Sequence, residues 1–422
     1  MFNVFLTQHD GFILGPIAKL LGLILNAIFD FLAHFGIENA GLCIIVFTFL
    51  VNALMIPLTM KQQKFTKLSS KMNPEIMKVQ EKYKGKKDEA SLRKQQLEMQ
   101  AIYEKYGANP TSGCLPMLIT FPIMFALYRV IYNIPAYVGS IKALYENIAV
   151  KMLDTDYLSI MTDYAHKFTN LNVSKWGDIS SSISTDHLID IMSQFKAADW
   201  SDLLSNNTFS SIADVIQTNS DRIMHINNFG FGVNIAETPW QQIASSAVPT
   251  ITKILYILIP VLAIVTQMLQ TKLMMANTPQ ADANNPTAAT MKSMNTIMPL
   301  MSGAFCLTLP VGVGIYWIAG AVFRSIQQVF VNRYMERMDV DELIEKNKEK
   351  QKKKKEKLGI DPNVSMEELA KTRTSSIKDK AKTGASGDES YKNNITQSSY
   401  KSGSIAANAH MLDRNRGDKE EK

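Results

Sequence analysis

Four stretches of the chain are almost uniformly apolar, around 41–60, 113–135, 248–269 and 294–332, while the segments between them are polar or dense in charge. A helix of about 18–22 apolar residues is long enough to cross a ~30 Å hydrocarbon layer. The pattern predicts five spans at 39–60, 113–135, 248–270, 293–309 and 312–332, the last two joined by Leu309-Pro310-Val311-Gly312. A soluble domain of this length spreads its apolar residues through amphipathic elements. The expected fold class is therefore an all-α integral membrane protein with five transmembrane helices, and an ordinary soluble enzyme is excluded.

The polar segments have patterns of their own. Segment 61–112 reads as a helical hairpin, with arms near Lys61–Lys82 and Glu89–Tyr106 and a turn at Lys84-Gly85-Lys86. Its apolar sides are thin, Ile76, Val79 and Tyr83 against Leu92, Leu97, Met99 and Tyr103, which predicts a mobile element. Segment 136–247 reads as an inserted helical domain, with one helix starting at Ser184-Thr185-Asp186. Segment 271–292 is a loop, and 333–422 a basic tail expected to be disordered beyond Lys357. Within 1–38, Lys19, Asn26, Asp30 and His34 share one face of a helix. A narrow polar stripe on an apolar helix suits an N-terminal interfacial helix, with a sixth span as the alternative.

Charge then orients the spans. The chain has 422 residues, 46% apolar and 20% charged. Twelve Lys/Arg fall in 61–112 and twenty-one from Arg333 onward, against six in 136–247, which holds twelve Asp/Glu. Basic loops stay in the cytoplasm, so the hairpin and C terminus are expected inside, and 136–247 and the N terminus outside. The three cysteines and six histidines form no metal-ligand spacing. Gly312-Val-Gly314 reads as packing rather than as a phosphate cradle. No cofactor and no metal are expected.

Specific residues carry a resemblance. Gly41 through Leu58, including Thr48, Asn52 and Pro57, resembles the first core span of the YidC/Oxa membrane insertase family. Gln62, Lys71-Met72, Pro74-Glu75, Asn109-Pro110, Gly113-Cys114-Leu115-Pro116 and Pro122-Ile123 are similar to that family's hairpin and second span. Phe229-Gly-Phe-Gly-Val-Asn234, Met298-Pro299, Pro310-Val-Gly312, Tyr316-Trp317 and Gln327-Gln328 are similar to its later segments. The resemblance implies a bacterial plasma-membrane insertase and chaperone. In this fold a hydrophilic groove opens to the cytoplasm and the lipid, and a greasy slide releases the client's apolar segment. No covalent chemistry is needed, so no enzyme is expected. The implied partners are nascent membrane proteins, the lipid bilayer, the ribosome and the Sec translocon.

The groove residues implied or spaced accordingly are Thr48, Asn52, Thr120, Gln267, Gln270, Tyr316, Trp317, Arg324 and Gln328. Asn52 stands where the family usually has Arg, and Thr120 where it often has Gln. Asn52 fits either groove lining or interhelical hydrogen bonding, and the two glutamines of the third span fit either the groove mouth or interfacial anchoring. Trp317, Ala321, Arg324 and Gln328 follow at i, i+4, i+7 and i+11, hence on one helix face. Arg324 lies nine residues before Arg333, as Asn52 lies nine before Lys61. Both therefore sit about 13 Å from the same boundary at 1.5 Å per residue. Arg324 is expected to supply the charge that Asn52 lacks. Lys350, Lys352, Lys353, Lys354 and Lys355 suit ribosomal RNA phosphates, or a solvated extension of the last helix. The rival class, a secondary transporter or channel, normally shows buried carboxylates, and none occurs within the five predicted spans.

Overall fold

The computed structural model describes residues 12, 14–109, 111–168, 171, 173–276 and 286–357. Helix α1 (Leu14–His34) is followed by α2 (Ala40–Leu54), which Asn39 starts by accepting the Leu42 N–H at 2.9 Å. Helix α3 (Ile56–Lys82) leaves α2 at a bend of 54°. The bend falls where Pro57 has no N–H to offer the preceding turn and its ring crowds it. Helix α4 (Glu89–Lys105) runs back along α3, capped by Asp88, which accepts the Ser91 N–H at 2.9 Å. Helix α5 (Thr111–Tyr132) ends the N-terminal half.

The inserted segment holds α6 (Gly139–Met152), α7 (Leu158–Lys167), α8 (Thr185–Met192), α9 (Ala197–Ser205) and α10 (Ala213–Asn227). Ser184 caps α8 by accepting the His187 N–H at 3.3 Å, at the start expected from sequence. Strands β1 (Asn228–Gly230) and β2 (Val233–Asn234) then pair antiparallel. Among the described residues this short ladder is the exception in a mostly helical chain. Helix α11 (Pro239–Ala244) leads to α12 (Thr250–Met275), α13 (Pro286–Thr308), α14 (Val311–Glu336) and α15 (Val340–Lys357).

A single apolar cluster joins α1, α2 and α5 to the inserted segment. Leu25, Ile44, Phe47 and Leu127 are buried on one side of it, and Ile148, Met152, Leu188, Phe209 and Ile216 on the other. Polar ties reinforce the seam. Arg222 donates to both oxygens of Glu38 at 3.1 and 2.6 Å, and Asn133 donates to the buried Asp190 at 3.1 Å. The inserted segment is thus part of the main core rather than a detachable cap.

Helix α1 is long and apolar enough to cross a membrane, as is α12; α2 and α3 qualify together as a bent pair. The polar stripe of α1 is partly engaged by protein, since Asn26 accepts the Gly139 N–H at 2.8 Å and Asp30 accepts from Ser140 at 3.4 Å. On α12, Ile254, Ile257, Leu258, Val261 and Val265 are exposed, as are Ile297, Leu300 and Phe305 on α13. Such surface has no place in water but is satisfied in lipid. The expected tail differs too: α14 continues to Glu336, and α15 packs on the hairpin through Ile344, beside Leu68, Met72, Ile76, Ile102 and Ala108. Residues beyond Lys357 lie outside those described.

Candidate functional site

Helix α14 approaches its neighbours closely because small residues line it. A Cβ on Gly312 would meet Ile44 at 3.2 Å and Ile131 at 3.1 Å, and one on Gly314 would meet Ile259 at 2.7 Å. These glycines are packing positions. The first N–H groups of a helix lack intrahelical partners. Here Val311 and Gly312 donate to the carbonyls of Glu237 and Ile235, each at 2.9 Å.

About three turns further along α14, a polar junction interrupts the apolar surroundings. The Arg324 side chain folds back across Gly320, where a Cβ would sit 2.9 Å from Nη1. Its Nη1 donates to Asn52 Oδ1 and its Nε to Gln270 Oε1, both at 3.2 Å. The guanidinium thereby links α14 to α2 and α12. Asn52 Nδ2 donates to the Thr48 carbonyl at 2.7 Å, which fixes the amide with its oxygen toward the cation. Thr48 is fully buried, its hydroxyl bonded to the Ile44 carbonyl at 2.6 Å. No carboxylate pairs with Arg324 among the described residues. Neutral amides orient the cation without cancelling its charge.

A second polar chain lies one turn beyond. Gln63 Nε2 donates to Gln328 Oε1 at 3.3 Å, Gln328 Nε2 to Asn332 Oδ1 at 2.8 Å, and Asn332 Nδ2 to the Leu273 carbonyl at 2.9 Å. Gln63 and Gln328 are buried. Gln63 and Asn332 were not singled out from sequence. Asn332 could have been, one turn after Gln328 on the same face. Gln63 could not, because the bend at Met55 breaks the periodicity that links it to Asn52.

The other expected residues are more dispersed. Gln267 is half-buried, and its backbone carbonyl accepts from the Thr271 hydroxyl at 2.9 Å. Tyr316 and Trp317 are half-buried against the main apolar cluster. The side chain of Thr120 lies outside those described. On α15, Lys350 and Lys352 are exposed, and Lys353 pairs with Glu349 at 2.7 Å. The side chains of Lys354 and Lys355 lie outside those described. Among the described residues no group of three or more His, Cys, Asp or Glu could hold a metal ion.

The family model described as 60Kd inner membrane protein matches residues 31–339. The chain belongs to that family. Relatives that it matches carry the YidC name that the sequence motifs point to, and one is named ALBINO3-like. Membrane protein insertase YidC 2 of Bacillus anthracis is 40% identical over 107 residues, 25% of this chain and 42% of that protein. Membrane protein insertase YidC of Clostridium perfringens is 40% identical over 122 residues, 28% and 49% of the two chains. ALBINO3-like protein 1, chloroplastic, of Arabidopsis thaliana is 24% identical over 329 residues, 78% of this chain and 50% of that one. The chain thus spans half or less of the length of these relatives. Both polar clusters lie within the segment matched by the 60Kd inner membrane protein family.

Proposed function

We propose that the protein is a membrane protein insertase and chaperone whose groove is floored by Asn52, Gln270 and Arg324, with Gln63, Gln328 and Asn332 nearer the cytoplasmic mouth. The observation that carries this reading is a guanidinium held between three apolar helices by uncharged acceptors alone. An unpaired cation at membrane depth is costly unless water reaches it. A hydrated groove supplies that water, and the retained charge attracts the acidic polar end of an incoming span. Each unpaired polar group moved through hydrocarbon costs several kcal/mol, so a groove cut through half the bilayer shortens the costly part of the path. The client's apolar segment leaves sideways along the exposed faces of α12 and α13 into lipid. No covalent step is involved.

In this reading α2, α5, α12, α13 and α14 are the five spans of a bacterial plasma-membrane protein. The hairpin and α15 face the cytoplasm, the inserted domain and the N terminus face outward, and α1 lies along the outer interface. Nascent membrane proteins are the clients. The ribosome, met by exposed lysines such as Lys350 and Lys352, and the Sec translocon are partners.

Substitution at the junction tests the reading. In a depletion strain, Arg324→Ala should lower insertion of a client with an acidic translocated end several-fold, and Arg324→Lys should recover part of it. Asn52→Arg combined with Arg324→Ala should restore activity, because the new guanidinium starts within reach of the vacated place. Asn52→Arg alone should be impaired, since two cations would then share one pocket. Full activity of Arg324→Ala at normal accumulation would overturn the charge assignment. Failure of a stalled client to cross-link to Trp317 or Asn52 would overturn the groove itself.

A further inference from the structure

The turn between β1 and β2 holds Gly230, Phe231 and Gly232 at φ values of 125°, 51° and 78°. Glycine takes such angles freely, whereas the Cβ of a bulky residue crowds the adjoining carbonyl. The two phenylalanines of this hairpin also differ in their surroundings. The ring of Phe229 lies on the first turn of α2, where a Cβ on Gly41 would meet it at 2.3 Å. Phe231 is 86% exposed. A strained aromatic residue facing open space adds nothing to packing within the chain.

Its location indicates what covers it. Thr252 Oγ1, in the first turn of α12, donates to the Phe231 carbonyl at 3.3 Å and holds the tip at that end of the helix. From the same level the exposed residues Ile251, Ile254 and Leu258 carry apolar surface down α12. Helix α11 packs on α12 and α13 close by, and its Trp240 is 62% exposed. Aromatic rings at the ends of apolar helices fit the layer between headgroups and acyl chains.

We infer that Phe231 and Trp240 are lipid anchors, seated in the headgroup–acyl boundary beside the N-terminal end of α12. They fix the depth at which the inserted domain rides on the bilayer, and with it the segment 235–237 that caps α14. The inference rests on α12 spanning the membrane, as proposed above.

The test uses the full chain in phosphatidylethanolamine–phosphatidylglycerol vesicles, with a photo-cross-linking phenylalanine analogue placed at 231, 240, 257 or 180 in turn. Ile257 lies mid-helix on α12, and Ser180 is an exposed position of the inserted domain. Lipid adducts at 231 and 240 are expected at yields comparable with 257 and several-fold above 180. Adducts at 257 but none at 231 and 240 would overturn the anchors while leaving the membrane reading standing. Adducts at none of 231, 240 and 257 would overturn the membrane reading and the anchors with it.

Discussion

The inserted domain is built from short helices and the hairpin from two longer ones, and the two regions are held by different forces. In the inserted domain Tyr145, Phe195, Trp200 and Phe209 are buried, with Phe195 and Trp200 edge-to-face at 5.0 Å. The hairpin and α15 bury a small core of Leu68, Met72, Ile76, Ile102, Ala108 and Ile344. Half-buried Phe65, Val79, Met99 and Val340 pack against that core, and polar ties add to it: Lys82–Glu98 and Lys105–Glu75 at 2.6 Å across the arms, and Lys71–Asp341 at 2.5 Å to α15. Lys67 caps the end of α14, donating to the Met335 and Met338 carbonyls. Exposed ion pairs contribute little, because water and salt screen them. One region is therefore fixed mainly by burial, and the other by a smaller apolar core supplemented by exposed polar ties.

The largest expected effect is in the inserted domain. Trp200→Ala should cost about 3–5 kcal/mol, as for other buried Phe or Trp truncations. Thermal unfolding in detergent would register it, with protease sensitivity spreading from 139–227 into α1 and α2 through their shared core. Damage confined to the inserted domain would mean that its core is separate.

Truncation after Met338 should act locally. Loss of α15 uncovers Leu68, Met72 and Ile76, so hydrogen exchange of 61–106 should rise sharply while 139–227 stays protected. In the intact chain 61–106 should already exchange faster than α12 and α14. Protection of the hairpin equal to theirs would break the contrast between the regions.

Proton linkage should take opposite signs in the two regions. Hydrogen bonds from Lys105 and Tyr106 hold the Glu75 carboxyl below its ordinary value, and those from Lys82 and Tyr83 do the same for Glu98. Their stabilisation is present above the ordinary carboxylate pKa and is lost as pH falls through the lowered values. Burial pushes Glu237 upward, against the pull of Lys196 and Tyr256. Its contribution is favourable in acid and is lost as pH rises through the raised value. Acid below the ordinary carboxylate pKa should thus loosen the hairpin, read as exchange corrected for intrinsic rates, while Glu237→Gln should flatten the pH dependence of melting of the inserted domain.

The smallest effect is ionic strength. Raising salt to about 1 M shortens the screening length to roughly 3 Å. This should speed hairpin exchange modestly and leave the inserted domain unchanged.

Local periodicity was enough to read the apolar helices, the two hairpin arms, the start of α8 and the shared face of Trp317, Arg324 and Gln328. Those features depend on neighbours three to eleven positions apart along one helix. Charge counts likewise needed no coordinates. The meeting of Asn52 with Arg324 and Gln270, the chain from Gln63 to Asn332, and the cover that α15 lays on the hairpin were decided only by tertiary structure. Each joins residues tens to hundreds of positions apart, and the first two depend on the bend before Pro57 and on the glycines that bring α14 close. The extent of the inserted domain's core was equally hidden, because its apolar residues carry no mark of the helix they face. A sequence records which side of each helix is greasy or polar, and packing chooses which of those sides meet.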